Sequence, residues 1–76
     1  MPDLDREWQD RVRTLLRTEM ARREISYVEL AERLRRLGIE ETPKNLSNKI
    51  AKGKFSAAFF YQCMAAFGTT VHLDDA

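Results

Sequence analysis

The 76-residue sequence predicts a small all-α domain of four helices followed by a short extended C-terminal tail. Apolar residues recur three and four positions apart in four separate segments, which is the spacing of a helix with one buried side. A serine or threonine stands just before the second, third and fourth segments, and a glycine stands just after each of them. Such residues start and end helices. A chain this short has room for one hydrophobic core, so residues 1–76 are interpreted as a single domain.

The first helix is predicted over about residues 5–24. Its apolar side chains recur at helical spacing along one stripe, formed by Trp8, Val12, Leu15, Leu16 and Met20. A stripe of this kind faces the interior of a small protein. We therefore expect this long helix to close one side of the core.

The second helix, predicted over residues 27–37, begins at a serine that is followed three positions later by a glutamate. In a capping box, the Ser26 and Glu29 side chains each accept a hydrogen bond from the other's backbone N–H group. Ile25 and Leu30 lie at the two positions of a hydrophobic staple. A glycine follows residue 37 and ends the helix. The side chains predicted to be buried are Leu30, Ala31, Leu34 and Leu37.

The third helix is predicted over residues 43–52. Thr42 is a suitable N-cap, and Pro43 stands at the first helical position, where the missing N–H group costs nothing. Gly53 ends the helix, because glycine adopts the left-handed cap conformation without strain.

The fourth helix is predicted over residues 57–67 and ends at Gly68. Phe55, Ser56 and Phe60 repeat the pattern of a cap with a hydrophobic staple. Its buried side chains are predicted to be Ala57, Phe59, Phe60, Cys63, Met64 and Phe67.

One core is predicted between the second, third and fourth helices. Its members are Leu30, Leu34, Leu46, Ile50, Phe59 and Phe60, and it is closed by Trp8, Leu15 and Leu16. The aromatic residues are interpreted as core rather than as a ligand platform.

The C-terminal tail, residues 69–76, begins with TTVHL, in which polar and apolar residues alternate. This alternation is typical of an extended segment. Val71 and Leu73 have no evident place in a four-helix core, so they are predicted to pair two chains in a homodimer. The alternative is that the tail packs back on its own first helix, beside Trp8.

The charges are unevenly distributed along a chain whose net charge is only +1. Every arginine lies at or before Arg36, and every lysine lies between Lys44 and Lys54. Between Thr42 and Leu73 there is no aspartate or glutamate. The cationic segment indicates either an anionic partner or simply a solvated surface.

The third helix has a polar side opposite its apolar side. Leu46 and Ile50 are four positions apart and are predicted to face inward. The residues predicted to face outward are Asn45, Asn48, Lys49 and Lys52, with Lys44 and Ser47 at the edges. Asparagine can both donate to and accept from an adenine edge, and lysine can reach guanine acceptors or phosphate. This surface has the chemistry of a helix that reads the major groove.

Two stretches within residues 26–68, SYVELAERLRRLG and TPKNLSNKIAKGKFSAAFFYQCMAAFG, resemble the Cro/CI-type, or lambda-repressor-like, helix-turn-helix of bacterial and phage repressors. Ala31 stands where that motif has a small residue at the helix crossing. The apolar positions of the motif are matched by Leu30, Leu34, Leu46 and Ile50. The pattern N-x-x-N-K-I-x-x-G-K-F-S-A-x-F, preceded by SY-x-E-L-A-x-R-L, is also similar to a small bacterial family of domains of unknown function.

The resemblance implies a small transcriptional regulator that binds double-stranded DNA as a homodimer. It places Lys44, Asn45, Ser47, Asn48 and Lys49 in the groove of the DNA. It places Tyr27, Lys52 and Lys54 at phosphates, and it includes Thr42, at the start of the third helix, among the DNA-binding residues.

The sequence departs from the Cro/CI pattern at three places. The link from Leu34 to Leu46 is longer than in the compact motif. Tyr27 replaces the glutamine that often follows the first cap, and no acid lies near Ile50 at the end of the third helix. The identities of the recognised bases therefore do not transfer.

Two other classes of function are alternatives to DNA binding. A protein–protein adaptor, such as an antitoxin or anti-repressor, would use Trp8, Tyr27 or the tail. RNA binding is a further alternative. An enzyme is not expected, because the sequence contains no nucleophile with a base at a readable spacing and no phosphate-binding glycine loop.

No cofactor, metal or small-molecule ligand is expected. Cys63 and His72 are not at metal-ligand spacing, and a lone cysteine cannot form an internal disulfide. No apolar run approaches the roughly 18 residues of a membrane-spanning helix. The acidic N-terminus does not resemble a signal peptide. The sequence therefore predicts a cytoplasmic protein without membrane contact.

Overall fold

A computed structural model describes residues 3–69, which form four helices and contain no strand. The helices are α1 (Leu4–Arg22), α2 (Tyr27–Arg36), α3 (Pro43–Lys52) and α4 (Ala57–Ala66). The predicted all-helical class with four helices is thus confirmed. None of these helices combines the length and apolarity that crossing a membrane requires. The tail from residue 70 onward, with the predicted pairing residues Val71 and Leu73, lies outside the described residues.

Every helix begins at a side chain that accepts a hydrogen bond from a backbone N–H group three residues on. The caps are Asp3, Ser26, Thr42 and Ser56, each at 3.1 Å from the donor nitrogen. At α2 only half of the predicted capping box forms. The Glu29 carboxylate accepts instead from Arg33 Nε, at 3.0 Å. An arginine one turn on therefore competes successfully with the Ser26 backbone for this carboxylate.

The helix ends are set by residues with positive φ. α1 ends at Arg22, earlier than predicted, because Glu24 has a φ of 55° and so leaves the helical conformation. Gly38 after α2 and Gly53 after α3 have φ values of 85° and 64°. Gly53 also lies against α1, since a Cβ atom placed there would be 2.8 Å from the Gln9 carbonyl oxygen. The turn after α3 is thus fixed against the first helix.

The hydrophobic core lies where α2 packs on α3 and α4, and α1 packs on α3. The fully buried side chains come from all four helices and are Leu16, Leu30, Leu34, Leu46, Ile50 and Cys63. Met20, Ile25, Phe59, Met64 and Phe67 surround them. Because Leu46 and Ile50 are both completely buried, they fix the rotation of α3 about its axis.

Four residues that were predicted to be buried are exposed. Ala57 is one of them, because it is the first residue of α4. Trp8 is 61% exposed, Leu15 is 42% exposed and Leu37 is 52% exposed. Leu15 points away because Leu16 takes the inward position, and adjacent helical residues differ by about 100° around the axis. Leu37 is the C-cap of α2 and lies beyond its last helical turn. Trp8 lies in the part of α1 before its buried residues, Leu16 and Met20.

The C-terminal end of α4 is capped by arginines from other segments. Arg33 Nη1 donates to the Ala66 carbonyl oxygen at 3.1 Å, and Arg23 Nη1 donates to that of Phe67 at 3.2 Å. α4 has no basic residue in its own last turn. Positive charge stabilises the carbonyl end of a helix, so these two arginines supply what the sequence of α4 lacks.

Candidate nucleic-acid interface

The outward side of α3 is a polar surface on a firmly held helix. Thr42 caps the start of the helix, and Leu46 and Ile50 anchor it in the core. Gly53 ends it in the left-handed conformation. The side chains opposite the anchors are exposed, namely Lys44, Asn45, Asn48, Lys49 and Lys52. Ser47 is half-buried at the edge. The predicted division of α3 into an inward and an outward side is therefore present.

Five of the predicted DNA-binding residues line one open groove, and they share it with two acids. The lining residues are Glu40, Glu41, Asn45, Asn48, Lys49, Lys52 and Lys54, and we call this surface the α3 groove. Three lysines face two carboxylates in it, so its charge is less positive than the acid-free sequence from Thr42 onward suggests. The acids come from the turn before α3, which folds back beside the helix.

Lys49 is not a free cation. Its Nζ atom forms an ion pair with Glu41 Oε1 and lies 4.7 Å from the centre of the Phe59 ring. The Glu41 side chain is only 11% exposed. The exposed Lys49 side chain is thus held beside a mostly buried carboxylate, and the aromatic ring adds a cation–π contact. Lys49 therefore supplies less positive charge to the surface than Lys44, Lys52 or Lys54.

The remaining predicted site residues lie outside the α3 groove. Lys44 is exposed on the first turn of α3. The Thr42 hydroxyl accepts a hydrogen bond from the Asn45 backbone N–H group, so it serves to start the helix. Tyr27 is half-buried at the start of α2 and packs against the core. Thr42, Lys44 and Ser47 lie among the groove residues in the sequence, but neither they nor Tyr27 line the same depression.

The Cys63 thiol, which lies beneath this surface, is unreactive. Cys63 is completely buried, and burial raises the pKa of its thiol to about 12, with the negative charge of Glu41 adding to the rise. A thiol with this pKa stays protonated at neutral pH and is a poor nucleophile or metal ligand. Among residues 3–69, no group of three or more metal-binding side chains is assembled.

Glu40 and Glu41 line the α3 groove, although the sequence pattern did not indicate them as members of the site. Both stand directly before the Thr42 cap, in a segment that the helical pattern treats as a connection. The length of the link between α2 and α3 could have indicated these two acids, because a link this long can fold back along α3. The pairing of Glu41 with Lys49, eight residues away, depends on the path of that link and has no local signature.

The model of a family described as "Domain of unknown function (DUF6471)" matches residues 8–71. The matched span holds α2, α3 and α4 entirely, together with most of α1. No curated protein and no solved structure matches the chain. The predicted similarity to a family of unknown function is thus confirmed, whereas the Cro/CI-type helix-turn-helix stays a prediction.

Proposed function

The chain belongs to the DUF6471 family, and we propose that it binds double-stranded DNA, with α2 and α3 acting as a lambda-repressor-like helix-turn-helix. In this proposal α3 enters the major groove, and the protein works as a small transcriptional regulator of bacterial or phage origin. The observation that carries the proposal is the exposed amide and lysine side of α3, opposite two fully buried anchors. A helix held this firmly can present side chains to base edges in a fixed register.

The chemistry of the surface supports two kinds of contact. Asn45 and Asn48 lie one turn apart in the α3 groove and can each pair with an adenine edge through two hydrogen bonds. Lys52 and Lys54 are exposed and suit phosphates, and Lys44 is an exposed cation on the first turn of α3, beside the DNA groove. Phosphate contacts position a protein on the duplex, and base contacts give it sequence preference.

The number of free lysines sets the expected strength of binding. With Lys49 engaged by Glu41, three lysines remain, and three released counterions give a slope of about −2.7 in a plot of log affinity against log salt. This is a weak interaction for one chain. We therefore also propose a homodimer, since two α3 helices about 34 Å apart double the contact.

Two substitutions in the α3 groove are expected to change the salt slope in opposite directions. Lys52→Ala removes one phosphate contact, so the slope becomes shallower by about 0.9. Glu41→Gln releases Lys49 and removes a repulsive carboxylate, so the slope becomes steeper by about 0.9 and affinity rises. Fluorescence anisotropy with a labelled random duplex measures both.

Glu24→Gln is the matched control for Glu41→Gln. It changes the net charge by the same amount, but Glu24 lies in the turn after α1 and not in the α3 groove. Equal effects of the two glutamine variants would mean that total charge, rather than this groove, governs DNA binding.

Asn48→Ala is expected to weaken binding to a preferred sequence, selected from a random library, by about 1–3 kcal/mol. Its effect on random DNA is expected to be much smaller, because an amide that reads a base edge contributes little where the base varies. Asn45→Ala is expected to behave in the same way. Equal losses on the preferred and the random duplex would show that neither amide reads sequence.

A protein–protein adaptor is the second candidate function. The observation that favours it is the exposure of Trp8, since tryptophan is enriched at the centres of protein interfaces. An adaptor interface built on aromatic side chains responds little to salt, so the same anisotropy titration distinguishes the two candidates.

A further inference from the structure

α1 carries a second apolar side that the core does not use. Leu4, Trp8, Val12 and Leu15 follow one another at spacings of four, four and three residues, which places them on one side of the helix. Leu4 is 62% exposed, and Trp8 and Leu15 are also exposed, while Val12 is half-buried. We call these four residues the α1 stripe. Because α1 buries Leu16 and Met20 on a different side, the α1 stripe does not contribute to the hydrophobic core.

The α1 stripe continues into an apolar groove between α1 and the start of α4. Val12 and Leu15 line this groove together with Phe55 and Phe60. Leu15 and Phe60 also line the neighbouring hollow that reaches Met64. Contiguous exposed apolar surface of this kind marks an interaction site on a soluble protein.

The charges along α1 make the helix complementary to a reversed copy of itself. Residues 3–10 hold four acids and one arginine, whereas residues 11–23 hold five arginines and one acid. When two such helices lie antiparallel, the acidic start of each faces the basic end of the other. A two-fold axis generates this arrangement, and it brings the same surface of both chains together.

We propose that the α1 stripe and its adjoining groove form a homodimer interface in which two copies of α1 pack antiparallel. The inference deepens the dimer part of the proposed function, but it assigns the contact to α1 rather than to Val71 and Leu73. A 19-residue helix is about 28 Å long, so the contact extends along one helix of each chain and its adjoining groove. Interfaces at the small end of the range are commonly weak, so a dimer of moderate affinity is expected.

Sedimentation equilibrium of the full chain without DNA tests the interface. The wild type is expected to show a monomer–dimer equilibrium in the micromolar range, at the weak end of specific association. Leu15→Glu and Trp8→Glu each place a charge in the apolar contact, so each is expected to weaken dimerisation at least tenfold. Val28→Glu is the matched control, since Val28 is 67% exposed on α2, away from the stripe. It is expected to leave the dimer intact.

Two further measurements sharpen the test. Trp8 is the only tryptophan in the chain, so its emission should shift to the blue as the concentration rises and the dimer forms. Glu7→Arg and Arg22→Glu should each weaken the dimer, and the double variant should recover much of the loss. Only antiparallel packing brings these two positions near each other, because they lie at opposite ends of α1.

Three results would overturn the proposal. The first is a wild type that stays monomeric at several hundred micromolar. The second is an equal loss of dimer in Leu15→Glu and Val28→Glu. The third is a dimer that survives Leu15→Glu but is lost when Val71 and Leu73 are both changed to glutamate. Because DNA is absent, each result is independent of whether α3 binds DNA.

Discussion

Replacing Leu46 with alanine is expected to lower the free energy of unfolding by about 2–5 kcal/mol. Leu46 is completely buried on the inward side of α3, between residues of the other helices. Its loss removes apolar contacts and leaves a cavity that the neighbouring helices fill only partly by moving. A domain of this length has a total stability of roughly 5–10 kcal/mol, so the variant is expected to be partly unfolded at moderate temperature.

Leu37→Ala is the matched control for this prediction. It is the same chemical change at a leucine that is 52% exposed, and its cost should stay within about 0.5 kcal/mol. Chemical denaturation followed by circular dichroism measures both variants. Similar costs at the two positions would mean that α3 is rotated from the orientation described, and Asn45 and Asn48 would then not face outward.

Gly53→Ala is expected to destabilise the domain by about 2–4 kcal/mol, for two reasons that add. An alanine at a φ of 64° is strained. Its Cβ atom would also lie 2.8 Å from the Gln9 carbonyl oxygen and 3.1 Å from Gln9 Cβ. The added Cβ atom and the Gln9 carbonyl group are both fixed to the backbone, so neither can rotate away. The clash is relieved only if α1 moves away from the end of α3.

Gly38→Ala separates the strain from the clash. Gly38 has a φ of 85°, but a Cβ atom there would meet nothing within 4 Å. Its cost should be about 1–2 kcal/mol, from the left-handed conformation alone. The difference between the two glycine variants measures the close approach of α1 to the turn after α3. If the two costs were equal, that approach would contribute nothing to stability.

The sequence was sufficient for the features that depend on neighbours along the chain. Ser26, Thr42 and Ser56 act as N-caps through side chains that reach only three residues ahead, so their patterns carry the information completely. The inward side of α3 was equally readable, because Leu46 and Ile50 leave a single apolar direction on that helix.

Features that depend on how the helices pack could not be predicted from the sequence. α1 has apolar residues on two sides, and periodicity alone does not tell which side meets α3. Leu15 and Leu16 are adjacent and chemically identical, yet only Leu16 is buried. Likewise, no local pattern connects Arg33 with the carbonyl end of α4, or Glu41 with Lys49, since these contacts exist only after the chain has folded back on itself.

The ion pair between Lys49 and Glu41 changes the expected binding behaviour. The sequence suggests four lysines on an acid-free surface. In the structure, however, Glu41 forms an ion pair with one of them, Lys49, and Glu40 lies in the same groove. Weaker nonspecific attraction makes a DNA-binding protein depend more on base contacts for its affinity. The two acids therefore raise the relative importance of Asn45 and Asn48 in the proposed function.

The salt dependence of binding between the wild-type protein and a random DNA duplex tests the proposed function most directly. Fluorescence anisotropy between about 50 mM and 200 mM salt should give a log–log slope near −2.7 for each bound chain, with micromolar or weaker affinity at the upper end. Failure to bind at about 100 μM protein in the lowest salt, or binding with a slope near zero, would contradict DNA recognition by α3.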